Sequence, residues 1–173
     1  MKSAVFFDRD GVINQVNRDA NLPYPPKCIE DLKIIDGVEE LIKLLREAKY
    51  LSIIITNQPD VARKKTDKKI VEGINKKIIN LLPIDAIYTC YHDNEDNCEC
   101  RKPKAGSILK AAKEYNIDLK SSYMIGDRWK DIAAGETAGC KTIYIDYKYN
   151  EKQPKNYDFK INSIKDIERI ILN

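Results

Sequence analysis

The stretch AVFFDRDGVIN, residues 4–14, decides how the rest of the chain is read: an apolar run of strand length ends in two acids, Asp8 and Asp10, separated by Arg9 and closed by Gly11. Side chains two apart in an extended segment point the same way, so Asp8 and Asp10 are expected to converge while Arg9 faces elsewhere. Two adjacent carboxylates repel unless a cation or a shared proton joins them. A hard cation such as Mg2+ would relieve the repulsion and bridge to phosphate oxygens.

Outward from this stretch, short apolar runs alternate with stretches of helical period, and no internal repeat or low-complexity segment interrupts them. DGVEELIKLLREA (36–48) carries a stripe of Val38, Leu41, Ile42, Leu44 and Leu45 behind Asp36 as a cap. LSIIIT (51–56) reads as a second strand, apolar throughout as in a sheet covered on both faces. A helix opening at Asp67 is expected to turn Ile70, Val71, Ile74, Ile78 and Leu81 inward, with Pro83 closing it ahead of the strand IDAIYTCY (84–91). Ile108, Leu109, Ala112 and Tyr115 mark another helix, SYMIGD (122–127) a strand, WKDIAAGETAG (129–139) a helix and KTIYID (141–146) a strand. Residues 147–157, polar and rich in Lys, Asn and Tyr, read as a surface loop before a last strand, FKIN, and helix, SIKDIERIIL.

This alternation predicts an α/β, Rossmann-like fold: an open, mostly parallel sheet with helices on both faces, in a single domain over 1–173. Ligands of such sheets bind outside the carboxyl ends of the strands. Asp8, Thr56, Cys90 with His92, and Asp127 all fall at those ends.

The totals bound the function. With 173 residues and 43% apolar content the chain can bury a core of its own, and 30 basic against 27 acidic residues leave a formal charge of +3. So slight a charge argues against a nucleic-acid or membrane partner, and leaves a small anionic substrate easy to accommodate. No apolar stretch has the length of a secretion signal or approaches the roughly 18 residues of a membrane span, so a soluble, cytoplasmic protein is expected. Three of the five cysteines, Cys90, Cys98 and Cys100, share one window with the chain's single histidine, His92. That fits a metal in a reducing compartment better than a disulfide framework, while Cys28 and Cys140 read as packing residues.

Further groups point to phosphate chemistry. TNQ (56–58) places Thr56, Asn57 and Gln58 where a strand gives way to a loop, suited to holding phosphate oxygens without adding negative charge. In CRKPKAG (100–106), Lys102 can neutralise a transferring phosphoryl group and Arg101 can grip a second anionic part of a substrate. Asp127 in IGDRWKD can supply a third oxygen to the cation of Asp8 and Asp10, with Asp131 in support. Lys64, Lys65, Lys68 and Lys69 read as a solvated charged stretch and are discounted as ligands. In CYHDNEDNCEC (90–100), Cys90, His92, Cys98 and Cys100 supply the four N/S donors of a closed, structural Zn2+ site.

The order FFDRDG, TNQ, RKP and GDRWKD resembles the four motifs of the haloacid dehalogenase superfamily of aspartate-nucleophile phosphatases, over nearly the whole chain. The resemblance implies that Asp8 attacks phosphorus to form an aspartyl phosphate, and that Asp10 protonates the leaving oxygen and then takes a proton from water. It implies that Thr56 and Lys102 stabilise the transferring group, with Mg2+ on Asp8, the main-chain carbonyl of Asp10, and Asp127. The cysteine loop ahead of CRKP is similar to a branch of that superfamily, the heptose 1,7-bisphosphate 7-phosphatases and related histidinol-phosphatases, which lack a large cap domain. On that likeness the substrate is a small phosphorylated sugar, a heptose bisphosphate of surface-polysaccharide precursor synthesis, whose unhydrolysed phosphate meets Arg101 and Arg128; a monomer is expected.

The chain departs from the branch in Asp60, where glycine is common, in CYHD, where a proline and a second histidine are frequent, in Arg128, often a lysine, and in QVNRDANLPYPPK, where Arg18 is a candidate contact. Histidinol phosphate is the nearest alternative substrate. A nucleic-acid 3′-phosphatase is disfavoured by the balanced charge, and a receiver-type phosphorylation switch by the placing of the acid pair on the first strand.

Overall fold

The computed structural model describes residues 1–19 and 22–172, without the side chains of 18 and 19. The elements follow in the order β1 (Ser3–Phe7), β2 (Asn17–Asp19), β3 (Leu22–Tyr24), α1 (Val38–Glu47), β4 (Tyr50–Asn57), α2 (Lys68–Leu81), β5 (Ala86–Cys90), α3 (Gly106–Tyr115), β6 (Tyr123–Gly126), α4 (Trp129–Ala138), β7 (Lys141–Ile145), β8 (Phe159–Ile161) and α5 (Ile167–Ile171). Six strands form one sheet in the order β5-β4-β1-β6-β7-β8. Every pairing in it is parallel. β1 therefore lies in the middle, where the strand order reverses, and its carboxyl end opens on the crevice that such sheets use for ligands.

Alternation along β1 sorts its side chains to two cores. Val5 and Phe7 join Leu41, Ile42 and Leu45 of α1, Ile74 and Ile78 of α2, and Ile167 and Ile171 of α5. Ala4 and Phe6 join Ile108 and Ala111 of α3 and Ala134 and Ala138 of α4. With both faces covered, β4 carries Ile53, Ile54 and Ile55 at 1% exposure or less, which accounts for its unbroken apolar sequence. Burying one such side chain stabilises the fold by roughly 1.5–3 kcal/mol.

The helix starts and faces follow expectation at Asp67 and differ from it at Asp36, Leu81 and Leu109. Asp67 caps α2, its carboxylate accepting the Lys69 N–H at 2.8 Å. Asp36 does not cap α1: Gly37 takes that position in a left-handed conformation, and Asp36 instead pairs with Lys165 at 2.8 Å. Leu81 and Leu109, expected inward, are about half exposed, and Leu82, just past the end of α2, is buried in place of Leu81. Leu81 ends its helix, where a residue one position on can reach the core instead, and Leu109 stands at the margin of the α3 stripe, whose centre is Ser107, Ile108 and Ala111.

Two segments were not legible as structured. Asn17–Asp19 and Leu22–Tyr24 pair antiparallel as β2 and β3; the side chain of Arg18 lies outside the described residues. Residues 147–157 are not simply surface, because Tyr149 is only 4% exposed. Among the described residues no helix is long and apolar enough to cross a membrane.

Candidate active site

Asp8 is the first residue beyond β1, and its N–H still donates to the Ile125 carbonyl of β6 at 2.9 Å. That bond fixes the carboxylate in the central crevice. The Lys102 ammonium, 2% exposed, reaches it from the loop before α3. Lys102 Nζ lies 2.7 Å from Asp8 Oδ1, 2.7 Å from Asp131 Oδ1 and 2.7 Å from the Ile55 carbonyl. Burial pushes the Asp8 carboxyl up to about 7, with Asp131 and Asp10 adding to the shift and Lys102 opposing it. Burial works against the Lys102 ammonium, yet Asp131 and Asp8 outweigh it and hold its pKa above the usual lysine value.

Asp127 follows β6, and one ligand oxygen each of Asp8, Asp127 and Asp131 lie within 4.8 Å of one another. All three residues are buried, and burial followed by the charges of Asp8 and Asp131 raises the Asp127 carboxyl well above its ordinary value. Asp127 Oδ2 accepts the Tyr149 hydroxyl at 2.8 Å, while Oδ1 is buried without a hydrogen-bond partner. A buried, donor-free carboxylate oxygen among further acids is costly unless a cation faces it, and a set of hard oxygens suits Mg2+. These residues fit the expected ion.

Asp131 carries more of this cluster than expected, and the Asp10 side chain less. Asp131 spends its second oxygen on the Arg128 N–H at 3.0 Å. Asp10 borders the same cleft as Asp8, but its carboxylate is bound by Arg9, by Asn14 at 3.0 Å and by Gln58 at 2.7 Å. Arg9 thus does not face away. Fully buried, it places Nη2 at 3.1 and 3.0 Å from the two Asp10 oxygens and Nη1 at 2.9 Å from Asn75. The chain leaves the extended conformation at Asp8, where alternation ceases to govern side-chain direction, and a guanidinium sealed inside needs a carboxylate beside it.

The TNQ residues are knitted together. Gln58 Nε2 donates to Thr56 Oγ1 at 3.0 Å as well as to Asp10. Asn57 spends its amide on the Lys102 main chain, donating to the carbonyl at 3.0 Å and accepting the N–H at 3.1 Å. A cleft of about 370 Å³ opens above them, bordered by Asp8, Asp10, Asn57, Gln58, Lys102 and Asp131, by Arg101 and Arg128, and by Leu22 to Pro25. Arg63, Lys65 and Lys130 also border it, so Lys65 is no mere solvated charge. Arg101 is 8% exposed; its Nε donates to Asn94 at 3.0 Å and its Nη1 is buried without a partner. Arg128 is taken by Glu151 of the 147–157 loop, its Nε donating at 2.8 Å.

Cys90 ends β5, and the chain returns to it through Cys98 and Cys100. The Cys90, Cys98 and Cys100 sulfurs lie 3.2 to 3.7 Å apart, and His92 Nδ1 lies 3.7 Å from Cys90 and 3.4 Å from Cys100. A tetrahedron with bonds of about 2.3 Å has edges of about 3.8 Å, so one ion of zinc's size fits among these donors. Burial opposes the Cys98 thiolate, yet hydrogen bonds from Cys100, Cys90 and nearby main-chain N–H groups hold its pKa down at about 7. Asp93, next to His92, accepts Arg63 Nη2 at 2.7 Å and pairs with Arg101 at 3.6 Å, joining this loop to both sides of the cleft.

Sequence reasoning missed Arg9, Asn14, Arg63, Asp93, Tyr149 and Glu151. No spacing signals Tyr149 or Glu151, which sit in a polar run. The internal position of Arg9, one residue from each acid, was the one available hint.

Comparison with known proteins shows the family. A family model described as HAD-hydrolase-like matches residues 99–164. The chain is 33% identical to the D-glycero-beta-D-manno-heptose-1,7-bisphosphate 7-phosphatase of Haemophilus ducreyi, over 96% of each. It is 38% identical to the D-glycero-alpha-D-manno-heptose-1,7-bisphosphate 7-phosphatase of Campylobacter jejuni, over 95% of this chain and 92% of that one. Among solved structures, D,D-heptose 1,7-bisphosphate phosphatase from B. bronchiseptica, complexed with magnesium and phosphate, superimposes with a TM-score of 0.83 at 26% identity, covering 98% of both chains. The chain is a phosphatase and belongs to the haloacid dehalogenase-like hydrolases, in their heptose 1,7-bisphosphate 7-phosphatase branch.

Proposed function

We propose that this enzyme removes the 7-phosphate of a D-glycero-D-manno-heptose 1,7-bisphosphate through a covalent aspartyl phosphate. An Asp8 oxygen attacks phosphorus, the bond to the sugar oxygen breaks, and Asp10 gives that oxygen a proton. Asp10 then takes a proton from the water that cleaves the acyl phosphate, which returns Asp8 and releases inorganic phosphate. Lys102 and Thr56 hold the transferring oxygens. Arg9, Asn14 and Gln58 fix the Asp10 carboxylate so that its proton is delivered in one direction.

Asp8, Asp127 and the main-chain carbonyl of Asp10 would hold Mg2+, whose charge neutralises phosphate oxygens beside the nucleophile. Cys90, His92, Cys98 and Cys100 would hold a structural Zn2+ that fixes the loop entering Arg101 and Lys102.

The observation that carries the bisphosphate reading is Arg101: a guanidinium with an unpartnered, buried Nη1 borders the cleft that also holds Asp8. A second anionic group of the substrate completes it. The names of the relatives supply the sugar.

A phosphate-release screen tests the reading, using both anomers of heptose 1,7-bisphosphate, histidinol phosphate and simple sugar monophosphates, with Mg2+ present or withheld. The heptose bisphosphates should be turned over with the highest kcat/KM, and only with Mg2+. Preference for histidinol phosphate, or equal rates on monophosphates, would refute the substrate.

A further inference from the structure

Asp127 is gripped on one oxygen only. The Tyr149 hydroxyl donates to Oδ2 at 2.8 Å, and beside it Gly11 closes on the same atom: a Cβ added there would stand 2.0 Å from Asp127 Oδ2 and 3.3 Å from the Tyr149 hydroxyl. Gly11, at φ +91, supplies the close approach that a side chain would prevent. Oδ2 is thus crowded by a main chain and a phenol, and Oδ1 is left buried and without a donor.

The strap that carries Tyr149 is itself tied down. Glu151 accepts Arg128 Nε at 2.8 Å, and Arg128 is the residue after Asp127. Gln153 Nε2 donates to the Tyr149 carbonyl at 3.2 Å. The strap is therefore anchored just beyond Tyr149, and with the phenol on one lone pair of Oδ2 and the Gly11 main chain crowding the same atom, Oδ1 is the oxygen left for a cation.

Cations differ in what they ask of a carboxylate. Ca2+ accepts one or both oxygens in a flexible shell at about 2.3–2.6 Å, whereas Mg2+ demands a near-ideal octahedron at about 2.0–2.1 Å. Both oxygens of one carboxylate stand too close together to fill adjacent corners of the smaller octahedron. We infer that Tyr149 is a positioning residue that holds Asp127 to coordination through Oδ1 alone and so makes this site select Mg2+ over Ca2+. The inference rests on the cation site of the proposed function and adds to it a residue outside the four sequence motifs.

The test is direct cation binding to the full, zinc-loaded chain: Mn2+ followed by electron paramagnetic resonance, displaced by Mg2+ or by Ca2+, in wild type and in Tyr149→Phe, which keeps the ring. Loss of an outer hydrogen bond to a metal ligand weakens binding roughly 10–100-fold. Mg2+ should weaken by about tenfold and Ca2+ by less than about threefold, so that the ratio of their Kd values shifts toward Ca2+. Tyr149→Leu, which loses ring and hydroxyl together, should show at least the same shift. Equal weakening of both cations, or no change in either, would overturn the assignment. Asp127→Asn identifies the signal by abolishing it. Wild-type chain without Mg2+-displaceable Mn2+ would sink the cation site itself, and this inference with it.

Discussion

Asn57 and Lys102 are joined by two hydrogen bonds, the Asn57 amide donating to the Lys102 carbonyl at 3.0 Å and accepting its N–H at 3.1 Å. The sequence suggested Asn57 as a substrate contact, yet both of its polar atoms are engaged in setting where Lys102 leaves the main chain. Asn57→Ala should therefore lower kcat by about 10–100-fold, since small misplacements of a catalytic group cost on that order. KM should change little. A rise in KM with kcat intact, in steady-state assays, would return Asn57 to the substrate.

Asp8 gives the metal-free protein a pH-dependent stability. In the fold it keeps its proton up to about 7, against an ordinary value of 3.8, so between these limits the folded chain binds more protons than the unfolded one. Stability therefore falls as pH rises from about 4 to about 7, and Asp127 shifts in the same direction. Thermal melts without divalent cation should show that fall, and Mg2+ should raise Tm more at pH 8 than at pH 5, because it competes with those protons. Asp8→Asn should flatten the dependence and abolish turnover. Phosphatase rates near wild type in that variant would show the nucleophile to be misassigned.

Zinc and substrate binding should be lost together. Cys98→Ser removes one of four donors, and Arg101 follows the last of them, Cys100, directly in the chain. Metal analysis should give less than one zinc per chain, and KM for the bisphosphate should rise. Unchanged kinetics in zinc-free protein would separate the loop from the cleft.

Arg101→Ala should raise KM for a bisphosphate by about 10–100-fold, the weight of one hydrogen-bonded charge pair. A monophosphate that lacks the second anionic group should be turned over as before. Equal losses on both would place Arg101 at the reacting phosphate instead.

The sheet was legible because its strands are continuously apolar and its helices periodic, and the acids at the strand ends marked the crevice. What escaped was set by tertiary context. Arg9 was assigned away from the two acids by alternation, but the extended conformation ends at Asp8, and the buried guanidinium became part of the Asp10 setting. Tyr149 was hidden in a polar run whose neighbours do face water. Leu81 and Leu109 lie at the margins of their helices' apolar stripes, where period alone does not fix the last buried residue. Asp131 was read as support, and its oxygens are spent on Lys102 and the Arg128 N–H.

The loop after β4 is sewn to distant chain: the Gln58 N–H donates to the Cys90 carbonyl at 2.7 Å, and Asn57 holds Lys102. Such long-range closures carry an entropic cost that local helices do not, so they should form late on the way to the native state. During refolding from denaturant, far-ultraviolet ellipticity should recover ahead of catalysis, and a ribosome must have released residue 102 before Asp8, just beyond the first strand, has its ammonium partner.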